Sequence, residues 1–284
     1  MKRLVSAFIV SIVVLGLLPS GKAGAQIING AFKRQDVYQK KPMPIPMVRE
    51  ADVLWSQMIW RIIDVREKIN QPLYFPTKPA EGLTNLSSLL LKGIESGQIT
   101  AYDARNDDDF KTPMTMAEVK AAFGAQTVTR EVQNFDTGEM ETRTIEGEIR
   151  LEEIKQFMIK EEWYFDKQNS RLQVRIVGIC PIQEFYRSDV EGSPLQRRKV
   201  FWVYYPEARE LLAANMVFNP YNDARKMTFD DLFIKRYFNS YIVQESNVYN
   251  NRTISQYLSG KDAMLESKMI EDKIFNYEQD LWEY

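Results

Sequence analysis

No histidine occurs among the 284 residues of this chain. That absence removes Ser-His-Asp and Cys-His catalysis, which need an imidazole to take the nucleophile's proton. It also removes ordinary zinc sites, which combine histidine with cysteine or use several cysteines. There is one cysteine, Cys180, in Gly178-Ile179-Cys180-Pro181, so no intrachain disulfide forms and the fold rests on its core. The ordinary reading of Cys180 is a small buried hydrophobe at a strand end. The alternative is a reactive or intermolecular thiol. Glycine is scarce, at 13 residues, and no glycine-rich phosphate loop is present. Chemistry, if any, would fall to carboxylates, lysine, tyrosine or a hard metal. The residues identify no catalytic group and call for no cofactor.

Long apolar runs are missing after the first 25 residues. Within them, Lys2 and Arg3 precede a run from Leu4 to Leu18, and Ala23-Gly24-Ala25 places small residues before Gln26. This pattern predicts a cleaved secretory leader over 1–25, too short to span a bilayer comfortably. Gln26, not cysteine, follows the expected cut, so a lipid anchor there is not indicated. Losing Lys2, Arg3 and Lys22 removes three positive charges and takes the formal charge from −2 to −5. A mildly acidic chain is a poor partner for nucleic acid or anionic lipid. The remainder, 44% hydrophobic and 27% charged overall, has globular composition.

What is abundant is aromatic and β-branched sequence between Glu161 and Pro206. Trp163-Tyr164-Phe165, a polar turn, Leu172 to Cys180, and Val200 to Tyr205 predict a hairpin and a third strand. The fold class expected is α+β: an antiparallel-rich sheet around 161–206 with flanking helices. An extended Pro-rich arm covers 26–47, the body runs from 48 to 260, and a last helix occupies 261–284. Helices are predicted over Glu50–Asn70, with Asp64 and Lys68 paired on its polar side and Pro72 ending it. Others run from an Asn85 or Thr84 cap to Gly97, from the Thr115 capping box to Phe123, through Ile154, Phe157 and Met158, after Pro206 to Val217, and from Thr228 toward Phe238. Short strands are expected at Ile99–Tyr102 and Tyr241–Val243. A polar hairpin is expected at Thr127–Ile145, turning at Asp136-Thr137-Gly138.

Several features invite a function and have a plain structural reading beside it. Asp103 to Phe110 carries four acids but lacks the central glycine and distant glutamate of an EF-hand loop. A solvated loop is the reading, with a metal as the alternative. Glu152/Glu153, Glu161/Glu162 and Asp230/Asp231 are sequence neighbours, whereas glycan cleavage needs carboxyls facing each other across a cleft. Tyr102-Asp103-Ala104-Arg105 and Asn222-Asp223-Ala224-Arg225 each precede a Thr-capped helix, and a leucine-rich helical segment precedes each. Duplication and chance both account for so few identities.

Trp163-Tyr164-Phe165-Asp166, Val174 through Pro181, and Phe201-Trp202-Val203-Tyr204-Tyr205-Pro206-Glu207-Ala208-Arg209 carry a resemblance to the gliding motility GldN (PorN) family. It continues at Asn222-Asp223-Ala224-Arg225, Met227 through Phe233, Glu245-Ser246-Asn247 and Asp280-Leu281-Trp282-Glu283-Tyr284. Upstream, Trp60-Arg61-Ile62-Ile63-Asp64 and Gly97-Gln98-Ile99-Thr100 also match. The resemblance implies a periplasmic, non-catalytic subunit of the type IX secretion system of Bacteroidetes-like bacteria. It implies a ring built with the outer-membrane lipoprotein GldK (PorK), and contact with the periplasmic part of the inner-membrane protein GldM (PorM). No site residue carries over from the family. The rival reading is a periplasmic cell-wall protein that binds glycan through its aromatics or cleaves it with carboxylates.

The two ends are the candidate partner-binding segments. Pro42, Pro44 and Pro46 favour a polyproline II arm that joins neither helix nor central strand. Ile274, Tyr277 and Leu281 share a stripe on the last helix, followed by Trp282 and Tyr284. That stripe either packs on its own body or reaches a neighbouring subunit, for which aromatic anchors are well suited.

Overall fold

A computed structural model describes residues 40–79, 82–105, 108–125, 128–133, 140–145, 147, 149–186, 194–219 and 227–280. The expected leader, the arm before Lys40, the turn at 136–138, Tyr221 to Arg225, and Leu281, Trp282 and Tyr284 lie outside the described residues.

In chain order the elements begin with β1 (Val53–Asp64), α1 (Gln71–Tyr74), α2 (Leu86–Glu95), β2 (Ala101–Asp103), β3 (Pro113–Met114) and α3 (Met116–Ala122). There follow β4 (Val128–Gln133), β5 (Met140–Ile145), β6 (Ile154–Asp166), β7 (Arg171–Phe185), β8 (Gln196–Lys199) and β9 (Phe201–Tyr204). The chain then continues through α4 (Tyr205–Ala214), β10 (Met216–Val217), β11 (Met227–Thr228), α5 (Phe229–Ile234), β12 (Tyr241–Glu245) and α6 (Lys261–Asp280). Eight strands form one antiparallel sheet in the order β12-β1-β6-β7-β9-β2-β3, with β8 also pairing β7. This is the α+β sheet expected, centred on the hairpin β6–β7.

Two expected helices are strands. Glu50–Asn70 contains β1, and Ile154, Phe157 and Met158 begin β6, which continues unbroken to Asp166. The reason is that both faces of the sheet are covered. Ile63, Phe157, Ile159, Ile179 and Val203 face the main core with Leu89, Leu90, Leu212, Phe229 and Phe233 from the helices. Trp60, Met158, Cys180, Ile182 and Trp202 point the other way and pack under Tyr102 and Phe110. A strand buried on both sides loses its polar alternation, and its apolar run then also fits helical spacing. Asp64 correspondingly pairs not with Lys68 but with Arg66, whose Nε donates at 2.8 Å, and it accepts from Gln156 Nε2 at 3.0 Å. Pro72 and Pro206 each sit inside the first turn of a helix, where a missing N–H costs nothing. Met216 and Val217 leave the helix for β10, and α5 stops at Ile234, short of the buried Phe238.

Local signals hold. Asn85 Oδ1 accepts from Ser88 N, Thr115 and Glu118 make a reciprocal capping box, and Gly124 ends that turn at φ +76. Thr228 and Asp231 make a second box. The order helix, two-stranded pair, Thr-capped helix occurs twice, as α2-β2-β3-α3 and α4-β10-β11-α5. After that the copies diverge, the first entering the separate β4–β5 pair and the second entering β12 at the sheet edge.

Candidate interaction surfaces

Four of the six acids that sequence alone offers for catalysis, Glu153, Glu161, Asp230 and Asp231, are engaged internally. Glu161 is fully buried; Arg236 donates to it at 2.7 and 3.3 Å and Trp163 Nε1 at 3.0 Å. Asp230 receives both Arg209 Nε at 3.0 Å and Nη2 at 3.1 Å, with the Tyr205 hydroxyl donating at 2.9 Å. Burial first, then Asp230 beside it, raises the Tyr205 hydroxyl well above the ordinary phenol range, so it stays a donor. Asp231 caps α5, and Glu153 accepts from Gln183 Nε2 at 2.7 Å. In the acidic loop, Asp108 and Asp109 turn toward the buried Lys160, whose Nζ lies 3.4 and 3.6 Å from their carboxylates. Lysine there supplies the positive charge a metal would bring. Among the described residues no group of three or more metal-ligating side chains converges.

The described part of the Pro-rich arm, residues 40–47, lies along the outer edge of β7. It makes no ladder bonds, as its prolines require. Instead the body grips its carbonyls: Arg209 Nη2 donates to Met43 O at 2.6 Å and Arg175 Nη2 donates to Pro46 O. Lys40 forms an ion pair with Asp231. The groove beneath is lined by Tyr164, Val174, Ile176, Tyr205 and Phe233. An aromatic trough holding proline at alternate positions is a known physical mode of polyproline recognition. Here it also shields an unpaired strand edge that would otherwise template association. Met43 and Met47 remain outward, 72% and 96% exposed.

At the opposite side, α6 closes the β12 edge. Ile270 and Ile274 are buried against Ile59, Ile242 and Ile254. The Ile242 N–H, facing away from β1, donates to Ser267 Oγ at 3.1 Å. Arg61 Nη2 reaches Glu271 at 3.2 Å, and Tyr277 stacks on Trp55 with ring centroids 4.8 Å apart. The arm thus lies at the β7 edge, while α6 covers the β12 edge and the sheet face that carries Trp55, Ile59, Trp163 and Leu172. The profile of the family described as "Gliding motility associated protein GldN" matches residues 48–283.

The chain belongs to the GldN family.

That match spans the whole sheet and α6 and begins just after the arm. No curated protein matches the chain. GldN-family proteins are structural components of gliding motility and the related secretion machinery, and this chain is one of them. In this GldN protein, Pro42, Pro44 and Pro46 sit in the arm, with Pro44 and Pro46 lining the β7 groove. Ile274 faces inward at 4% exposure, and Tyr277 is half-buried on Trp55. The two segments line separate grooves and do not form one site. Sequence reasoning missed Arg175, Arg209 and Asp231 as the arm's anchors. Their only signal was charge within apolar strands and helices, which does not name a partner.

Proposed function

We propose that this GldN protein is a non-catalytic periplasmic subunit of the type IX secretion and gliding motility machinery. In this reading it assembles in a ring with a GldK/PorK-like outer-membrane lipoprotein, at the inner face of the outer membrane. It also meets the periplasmic domain of a GldM/PorM-like inner-membrane protein. The family match over 48–283 carries the reading. The leader-like first 25 residues and the internal pairing of Glu161 and Asp230 support it. A ring subunit must offer two different, complementary surfaces. The arm, with Pro42, Pro44 and Pro46, supplies one. The C-terminal segment, with Tyr277, Leu281, Trp282 and Tyr284, supplies the other, while Ile274 anchors the last helix from beneath.

Gentle crosslinking and pull-down from the native envelope tests the class, with recovery of a lipoprotein and a motor-linked subunit as the expected result. Release of peptidoglycan fragments by the purified protein, lost on changing one carboxylate, would replace this reading with the glycan one. Deleting 26–47 and, separately, 277–284 tests the surfaces. Each truncation should keep the body folded and lose higher-order assembly; assembly that survives both places the interfaces on the body.

A further inference from the structure

The last helix has a second apolar face that its own chain leaves uncovered. At 3.6 residues per turn, Ile270 and Ile274 point into the body. Met264, Leu265, Met269 and Phe275 point away and are 74%, 61%, 64% and 59% exposed. Four large apolar side chains on one exposed helix are more than scattered surface hydrophobes, which occur singly. Lys268 and Asp272 lie on the same outward side, 63% and 58% exposed, and pair within the helix at 3.3 Å.

We propose that this face of α6 is a self-association surface, on which the α6 of a second copy packs antiparallel about a two-fold axis at Ile270. The order of residues argues for that partner. An antiparallel crossing at Ile270 sets Leu265 of one copy against Phe275 of the other, because both stand five residues from the axis in opposite directions. The same operation sets Lys268 against Asp272. Both oppositions are complementary, Leu265 with Phe275 and Lys268 with Asp272, and each occurs twice over, as an isologous interface requires. A parallel pairing would bring Lys268 to Lys268 and Asp272 to Asp272. Phe275 supplies an aromatic anchor, and Met264 and Met269 are unbranched side chains that adapt to an opposing helix. The helix is already rigid, held by Ile270, Ile274, Ser267 and the Tyr277–Trp55 stack, so pairing costs little further ordering. The pairing requires only two chains and does not rest on the ring.

Charge exchange provides the test. K268D alone should create two Asp–Asp oppositions across the axis, and D272K alone two Lys–Lys oppositions. Each should weaken self-association at least tenfold by sedimentation equilibrium. Mixing the two variants should restore a heterodimer, since every opposed pair is then attractive. L265E should abolish the dimer. Leu265 and Phe275 are exposed and belong to no core cluster, and Lys268 pairs only within the helix, with Glu271 at 3.0 Å and Asp272 at 3.3 Å, so far-UV circular dichroism should keep its helical content, and the melting temperature read below the dissociation constant of the dimer should shift by no more than a few degrees. A second readout is geometric: L265C mixed with F275C should form an interchain disulfide under mild oxidation, with Cys180 buried and out of reach. A wild-type protein that stays monomeric at about 100 μM, far above the dissociation constant of a functional pair, overturns the proposal. So do single charge variants that associate as the wild type does, or a mixture that fails to pair.

Discussion

Gly178 stands where β7 passes beneath Phe110, and replacing it with alanine measures how that face of the sheet is closed. A Cβ at 178 would lie 2.8 Å from Phe110 Cε1, closer still to its Cζ, and 3.2 Å from Trp202 Cε3. The Phe110 ring cannot simply swing aside. It stacks edge-on with Tyr102, Trp202 and Tyr204 at centroid distances of 5.7, 5.9 and 5.6 Å, and Lys160 Nζ lies 5.7 Å from it. Its backbone is held at φ 56, a left-handed conformation unusual for a bulky residue. Overpacking of this kind costs about 1–3 kcal/mol. Alanine returns about 0.4–1 kcal/mol by narrowing the unfolded ensemble, since the glycine needs no positive φ here. The clash wins, and G178A should lose roughly 1–2 kcal/mol, or a few degrees of melting temperature for a body of this size. F110A should cost about 2 kcal/mol, below the full-core range because the ring is partly exposed. The double variant decides the cause. With the ring gone, the new methyl keeps only the 3.2 Å approach to Trp202 Cε3, so G178A in the F110A background should be close to neutral in urea unfolding. A coupling of at least about 1 kcal/mol is expected. Single costs that add to within about 0.5 kcal/mol would refute the argument, because they would show that the added methyl and the Phe110 ring do not compete for the same space.

Val203 is 1% exposed in the main core, and V203D should lose more than about 4 kcal/mol by burying an unpaired charge; an unchanged melting temperature would place the strand elsewhere. R236L leaves the Glu161 carboxylate buried without its cation and should cost about 3–5 kcal/mol in urea unfolding, whereas a mild loss would mean solvent reaches Glu161. Burial pushes the Cys180 thiol up to about 12, so native protein should resist a thiol reagent at about pH 8 and label rapidly only in denaturant; equal rates in both would contradict this. Burial alone would raise the Asp231 carboxyl, but bonds from Lys40 and Thr228 override it and hold it at about 2. That depressed value gives stability fully present above the ordinary carboxylate range near pH 4 and lost as pH falls toward about 2. K40A should move the Asp231 titration upward by nuclear magnetic resonance, and an unmoved titration would detach the arm from α5.

Chemistry that depends on one or two neighbours was legible before any fold was known. The reciprocal bonds of Thr115 with Glu118 and Thr228 with Asp231 close within a single helical turn, so four residues suffice to announce them. The polar turn after Phe165 and the apolar runs on either side likewise announced the β6–β7 hairpin, because a turn and its flanking strands are contiguous in sequence. The missing histidine and single cysteine excluded whole classes of catalysis without reference to shape.

Tertiary packing decided the rest. Nothing local in Met58 to Ile63 distinguishes a helix stripe from a strand covered on both faces. β6 and β12, about 100 and 180 residues away, settle it by pairing with β1. Ile274 and Met269 are equally apolar in sequence, yet one is buried on Ile59 and Ile242 while the other faces solvent. The arm's resting place also needed the fold. Its prolines dictated an extended chain without ladder bonds, but Arg175, Arg209 and Asp231 come from β7, α4 and α5, and only their convergence makes a groove. Sequence determined the conformations and the excluded chemistry, because both follow from residue type and near neighbours. The structure determined which surfaces are covered, because burial is set by contacts between residues distant in the chain.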